Sequence, residues 1–241
     1  MGSAGMSQST RRRIATLTAV AAVAVAGCSP GPPTPETPAM APPPPGAERP
    51  TLIEPTRPPP PAVHPVTAAD LGETWRPGCP VAPQDLRRVD LDYLAPDGST
   101  GRGALVVHRD VVDDVIAIFG RLRELRYPIA RMRTVDNYPG AADELSMRDN
   151  NTSGFNCRRL GDDWSLHAYG RAIDVNPLVN PFIDSDGTLE PATARAYLDR
   201  TRDVPGMLRA GDAAVAAFTD RGWRWGGAWR DPIDYQHFEI G

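Results

Sequence analysis

Two short stretches concentrate the residue types that hydrolytic chemistry uses. "SLHAYGRAIDVNP", residues 165–177, sets His167 and Asp174 among small residues, and "DYQHFEI", residues 234–240, sets Asp234 and His237 near the end of the chain. Two imidazoles and one carboxylate make a common protein shell for catalytic Zn²⁺, with the fourth position left to water. An unligated carboxylate beside such a shell supplies a general base. The same residues scattered over a surface are solvated polar groups, so types and spacing alone leave both readings open. The other histidines have simpler readings: His64 lies in a proline tract and reads as solvated, and His108 reads as a capping or surface group at a strand end.

Convergence of these groups makes demands on the backbone. In "AIDVN", Ile173 and Val175 alternate with Asp174, so a strand that buries the apolar pair turns the carboxylate to its other face. Gly170 gives the chain the freedom to fold so that His167 meets Asp174. On a regular strand Asp234 and His237 project to opposite faces. If both serve one site, the backbone near Asp234 is irregular, and Pro232 is the residue expected to make it so.

The surrounding pattern supplies elements to hold them. "GALVVH", residues 103–108, reads as a strand. A helix follows, with Asp110 as its cap and Val112, Val115, Phe119, Leu122 and Leu125 at three- and four-residue steps. "PIARMRTV" reads as another strand, and residues 136–164 as a long loop made orderly by Cys157. Helical pieces are expected in "ATARAYLDR" and "GDAAVAAFTDRG", and a last strand in "DYQHFEI". Short strands among helices, without regular βαβ alternation, indicate an α+β domain with a small, largely antiparallel sheet flanked by helices.

The N-terminal part is of another kind. Arg11, Arg12 and Arg13 precede an uncharged run from Ile14 to Gly27, too short to span a membrane and typical of an export signal. The run closes on "VAGC", which resembles a bacterial lipobox. Residues 1–27 are therefore expected to be a lipoprotein signal peptide and Cys28 the acylated residue, anchoring the chain to the outer face of the cytoplasmic membrane; an ordinary signal cut near Ala26 is the alternative. Sixteen prolines in residues 30–65 favour an extended, solvated spacer, so 28–70 reads as a disordered Pro-rich linker and 71–241 as the functional domain. Cys79 and Cys157 are then an even pair in an oxidising compartment, and a disulfide is expected, with two unpaired thiols as the alternative.

Charge excludes several classes. Without the three signal arginines, 23 basic side chains face 30 acidic ones, about seven negative charges, so nucleic acid is not a partner. All basic residues are arginine, and a chain without lysine cannot supply the Ser-x-x-Lys pair of a penicillin-binding serine peptidase. A Cys/His peptidase would require Cys157 as a free thiolate.

"SLHAYGRAIDVNP" resembles the Ser-x-His-x-x-x-Gly-x-Ala-x-Asp signature of the zinc D-alanyl-D-alanine carboxypeptidase/dipeptidase family, VanY/VanX-like and L-alanyl-D-glutamate endopeptidase-like metallopeptidases. "GWRWGGAWRDPIDYQHFE" is similar to its C-terminal signature, in which a carboxylate precedes the last histidine by three residues. The resemblance implies a Hedgehog/DD-peptidase-like fold, Zn²⁺ held by His167, Asp174 and His237, and Asp234 as base. It also implies an arginine on the substrate, for which Arg158 is the choice and Arg133 and Arg148 are rivals. Ser165 is either a substrate contact or a turn hydroxyl. Gly226 and Gly227 are expected to permit a tight turn, with Trp223, Trp225 and Trp229 in the core or the cleft wall. The implied activity is hydrolysis of peptidoglycan stem peptides by a monomer, with D-alanyl-D-alanine carboxypeptidase first. Dipeptidase or endopeptidase action stays open because VanX-type members carry Glu at the position of Asp234. A wall-binding lipoprotein without turnover is the reading from another class.

Overall fold

Alternating apolar residues build the first sheet of the computed structural model, which describes residues 59–241. Strand β1 (Ala62–Pro65) pairs antiparallel with β2 (Leu86–Leu94), and β2 with β3 (Thr100–His108). Val89, Leu91, Leu105 and Val107 fall on the buried face, where helix α1 (Val112–Glu124) covers them. The helix buries Val112, Val115, Ile118, Phe119 and Leu122. Each such side chain contributes about 1.5–3 kcal/mol, whereas a thirteen-residue helix alone is marginal in water. Packing, not propensity, holds it. Leu125 lies past the last helical residue and is only half-buried.

Three details of the first half differ from the sequence reading. The cap is not Asp110: His108 Nδ1 accepts the Asp110 amide at 3.3 Å, opening a 3₁₀ turn over Arg109–Val111. The segment "PIARMRTV" contributes only Arg131–Met132, in a two-residue parallel ladder with Asn151–Thr152. The stretch assigned to the end of the linker is built into the domain: β1 lies within it, and Thr67 caps a one-turn helix, Ala68–Leu71, reciprocally with Asp70. Pro61 precedes β1 and Pro65 is its last residue, and the partner strand lies on one side only, so the missing amides do not forbid an edge strand. The signal peptide, Cys28 and residues 28–58 of the linker lie outside the described residues.

The second half is assembled from short pieces. Helix α2 (Asp143–Arg148) lies within the long loop, and β4 (Ala172–Asp174), β5 (Phe182–Ile183), β6 (Leu189–Glu190), helix α3 (Ala213–Thr219), β7 (Arg224–Trp225), β8 (Ile233–Asp234) and β9 (His237–Glu239) follow. They form two further antiparallel sheets, in the orders β7-β9-β4 and β6-β5-β8. The domain is thus α+β, with three small three-stranded sheets in place of one. Side-chain amides stand in for regular structure in the long loop. Asn151 bonds to Arg133 and Ser146, and Asn156 bonds to Ala141 and Asp143. The expected disulfide, Cys79–Cys157, joins this loop to the start of the domain.

Candidate metal centre

Strand register puts two of the four candidate groups side by side. His237 of β9 is directly opposite Asp174 of β4, so both side chains leave the sheet on one face. The next pair, Phe238 and Ile173, enters the core on the other face, where Phe238 stacks on Phe218 of α3 with ring centroids 3.8 Å apart. His167 comes from a 3₁₀ turn, Leu166–Tyr169, that ends at Gly170 with φ 67°. A Cβ there would lie 2.6 Å from the His108 nitrogen. Only glycine brings the turn this close to β3.

The three side chains are buried and form one cluster, with ligating atoms within 4.8 Å of one another. His167 Nε2 lies 3.1 Å from Asp174 Oδ2, His237 Nδ1 lies 3.1 Å from Asp174 Oδ1, and the two nitrogens are 3.2 Å apart. A tetrahedral ion with bonds of about 2.0–2.1 Å has ligand-to-ligand edges of about 3.3 Å, so the spacing suits such an ion. The tautomers suit it as well. His167 Nδ1 donates to the Gly154 carbonyl at 2.6 Å, and His237 Nε2 faces Glu239 Oε2 at 3.2 Å. Each outer partner holds the proton on the outer nitrogen and leaves the inner lone pair for a metal.

Charge points the same way. Burial alone would raise the Asp174 pKa, but His167 and His237 hold it far below the carboxylate range. Burial would lower that of His237, yet its bonds to Asp174 and Glu239 push it up to about 10. Both shifts favour positive charge beside Asp174, which a divalent cation would supply.

Asp234 lines the same cavity of about 510 Å³ as Asp174 and His237. Its Oδ1 is buried with no hydrogen-bond partner among the described residues. Burial and the Asp174 charge raise its pKa to about 6, against the pull of His237 and His167. "DYQHFEI" is not one strand: Asp234 ends β8, His237 begins β9, and the irregularity lies at Tyr235–Gln236. Arg200 sits over the Tyr235 ring at 4.3 Å, and Trp225 Nε1 donates to the Tyr235 carbonyl at 2.9 Å, fixing that break. Gly226 is required by close approach, since a Cβ would meet the Asp234 carbonyl at 2.7 Å, and a Cβ on Gly227 would strike the Trp225 ring.

Of the three candidate arginines, Arg158 lines the cavity, ion-paired with Asp143. Arg133 and Arg148 line separate surface depressions. Ser165 also lines the cavity, and its hydroxyl accepts the His167 amide at 3.3 Å, a turn-capping role. Trp223 and Trp225 are core, while Trp229 is cleft wall, its ring 5.6 Å from that of His237. Cys157 is disulfide-bonded, which removes the thiolate a Cys/His peptidase would need. The sequence reading passed over Glu239, whose position two residues after His237 on a strand is a legible signal. It also passed over the Gly154 carbonyl, which has none.

A buried two-histidine, one-aspartate cluster with a free carboxylate in the same cleft is the arrangement of a metal-dependent hydrolase. Residues 159–240 match a family model described as D-alanyl-D-alanine carboxypeptidase, which supports a peptidase of that family and covers all four of these side chains. Searches of the curated proteins and of the solved structures gave no match.

Proposed function

We propose that the domain is a zinc peptidase that hydrolyses peptidoglycan stem peptides, acting as a D-alanyl-D-alanine carboxypeptidase. The observation that carries the reading is the set of 3.1–3.2 Å spacings among His167, Asp174 and His237, beside a cavity that Asp234 also lines. Bound by those three side chains, zinc would supply Lewis acidity and bring the pKa of a water down to about 7. Asp234 accepts the proton of the attacking water and returns it to the leaving amine. Its raised pKa suits both halves of that transfer. Arg158, held by Asp143, donates to the scissile carbonyl or to the substrate carboxylate, staying protonated throughout. Ser165 has its hydroxyl proton free for substrate while its oxygen caps the turn. In the same reading Cys28 is lipidated and the Pro-rich segment tethers the domain at the outer face of the membrane.

Metal analysis tests the centre: one zinc per wild-type chain is expected and little in His237→Ala, and a wild type without stoichiometric metal refutes the reading. Digestion of purified muropeptides followed by mass spectrometry tests the bond. Loss of one terminal alanine is expected. Release of a dipeptide or an interior cut would reassign it to dipeptidase or endopeptidase action, and intact muropeptides would favour a wall-binding protein without turnover.

A further inference from the structure

Arg200 carries a charge into the protein without a carboxylate to meet it. No ion pair among the described residues reaches it, and burial lowers its pKa to about 10, which leaves it protonated at neutral pH. A cation taken out of water ordinarily needs an opposite charge. Here four oxygens and an aromatic ring replace one. Nη1 donates to the Val179 and Tyr197 carbonyls at 2.7 and 3.1 Å, and Nη2 donates to Asn180 Oδ1 and the Leu208 carbonyl, both at 2.7 Å. The guanidinium carbon stands 4.3 Å from the centre of the Tyr235 ring, within cation–π range.

The groups it joins lie on the two sides of one ladder. Tyr235 directly follows Asp234, and Asn180 stands two residues before Phe182, which pairs with Asp234 between β5 and β8. The Tyr235 amide donates to the Pro181 carbonyl at 3.3 Å, extending the same pairing. Strands of two residues each have little to hold their own geometry, so the clamp comes from outside the ladder. Asn180 is a firm anchor for it: buried, it accepts the Leu208 amide and donates to the Val175 and Gly206 carbonyls. The candidate metal ligands have a different footing. Asp174 and His237 oppose each other in the β4-β9 ladder, backed by Ile173 and Phe238 in the core, and His167 sits on the turn that Gly170 closes. Neither Arg200 nor Tyr235 lines the cavity. Arg200 therefore reaches the cleft only through the chain that carries Asp234.

We infer that Arg200 is a positioning residue for Asp234: it clamps the Tyr235 ring to the Asn180–Phe182 segment and so holds the carboxylate in place at the cleft. This rests on the peptidase reading and adds to it a residue outside the cleft. Arg200→Met, which keeps an unbranched stem and loses the charge and donors, is compared with wild type for zinc content, for kcat and KM on a purified muropeptide, and for the position of Asp234 in crystal structures. Zinc content and KM should stay within about twofold while kcat falls about 100-fold, the cost of a reacting group misplaced by about 1 Å. The crystal should show Asp234 moved by about that distance, with His167, Asp174 and His237 unmoved. Added to Asp234→Asn, Arg200→Met should lower kcat by less than about a further twofold, because two residues that act as one unit are not additive; a residue that only supports the fold would multiply the loss. Tyr235→Leu removes the ring, leaves Arg200 its four hydrogen bonds, and should reproduce the kcat loss, so it decides the matter if Arg200→Met does not fold. An unchanged kcat, losses that multiply in the double variant, or zinc lost together with activity overturns the clamp. If wild type cuts no muropeptide, the peptidase reading fails, and the crystal structures still decide: an Asp234 unmoved in both variants refutes the clamp, and a displaced one with the three ligands in place upholds it.

Discussion

Glu239 stands behind His237, where it would govern how well the ring serves as a metal ligand. Its Oε2 faces His237 Nε2 and its Oε1 pairs with Arg224 at 2.6 Å, so the carboxylate is anchored from outside and aligns the ring from behind. The bond to His237 holds Glu239 itself below its ordinary pKa. A carboxylate behind a ligating imidazole raises the basicity of the metal-binding nitrogen, and losing such a partner weakens metal binding about 10–100-fold. Glu239→Ala is therefore expected to lose zinc affinity in that range in competition with a chromophoric chelator. Glu239→Gln, which keeps an acceptor and drops the charge, should fall between it and wild type. Equal affinity in all three proteins would mean that β9 alone orients the ring. Both partners of the histidine rings act on tautomers, yet only Glu239 was legible beforehand. A backbone carbonyl such as that of Gly154 is common to every residue, and its aim depends on a loop that no periodicity describes.

At the scale of elements, legibility followed the length of the regular run. "AIDVN" has the alternation of a strand, and Asp174 does face away from Ile173 and Val175, which are fully buried. "DYQHFEI" carries the same composition but is broken after its first residue, across Tyr235–Gln236, where Arg200 and Trp225 contact Tyr235. Distant residues impose that break, so local pattern reads it as one strand. The long loop was legible as a loop, while its order depends on Asn side chains whose partners lie up to 18 residues away. Gly170 is where local and distant constraints coincide. It adopts φ 67°, and a Cβ would meet the His108 nitrogen at 2.6 Å, the Leu86 side chain at 2.8 Å and the Val107 carbonyl carbon at 3.0 Å. Left-handed geometry alone costs a non-glycine residue about 1–2 kcal/mol, and the clash with backbone adds to it. Gly170→Ala is expected to lower unfolding free energy by more than about 2 kcal/mol in urea, and to weaken zinc binding because His167 rides on the displaced turn. Loss of stability with metal affinity intact would show that the turn moves as a rigid unit.

Across the whole molecule, the disulfide connects two regions whose cores are separate. One cluster, which includes Val115, Phe119, Ile173, Phe218 and Phe238, lies under the strands that carry Asp174 and His237. A smaller cluster, Val66, Leu71, Val81, Leu86, Val106, Phe155 and Cys157, holds the N-terminal segment against the loop. Cys79–Cys157 crosses the smaller one with a sequence separation of 78, and Arg76 adds a 2.8 Å bond to the Cys157 carbonyl. A closed loop of that length contributes roughly 3–5 kcal/mol in the chain-entropy account, a large share of a domain's usual margin. The bond is also adjacent to Arg158, whereas the strands carrying the candidate ligands Asp174 and His237 rest on the larger core. Replacing both cysteines by alanine should therefore act unevenly. Limited proteolysis is expected to cut between residues 66 and 85 first, and KM is expected to rise as Arg158 loses its fixed position. Zinc should stay bound at one per chain until the larger core unfolds. Zinc release in the same transition as the first cut would instead make the two cores a single cooperative unit, with the disulfide supporting the metal centre directly.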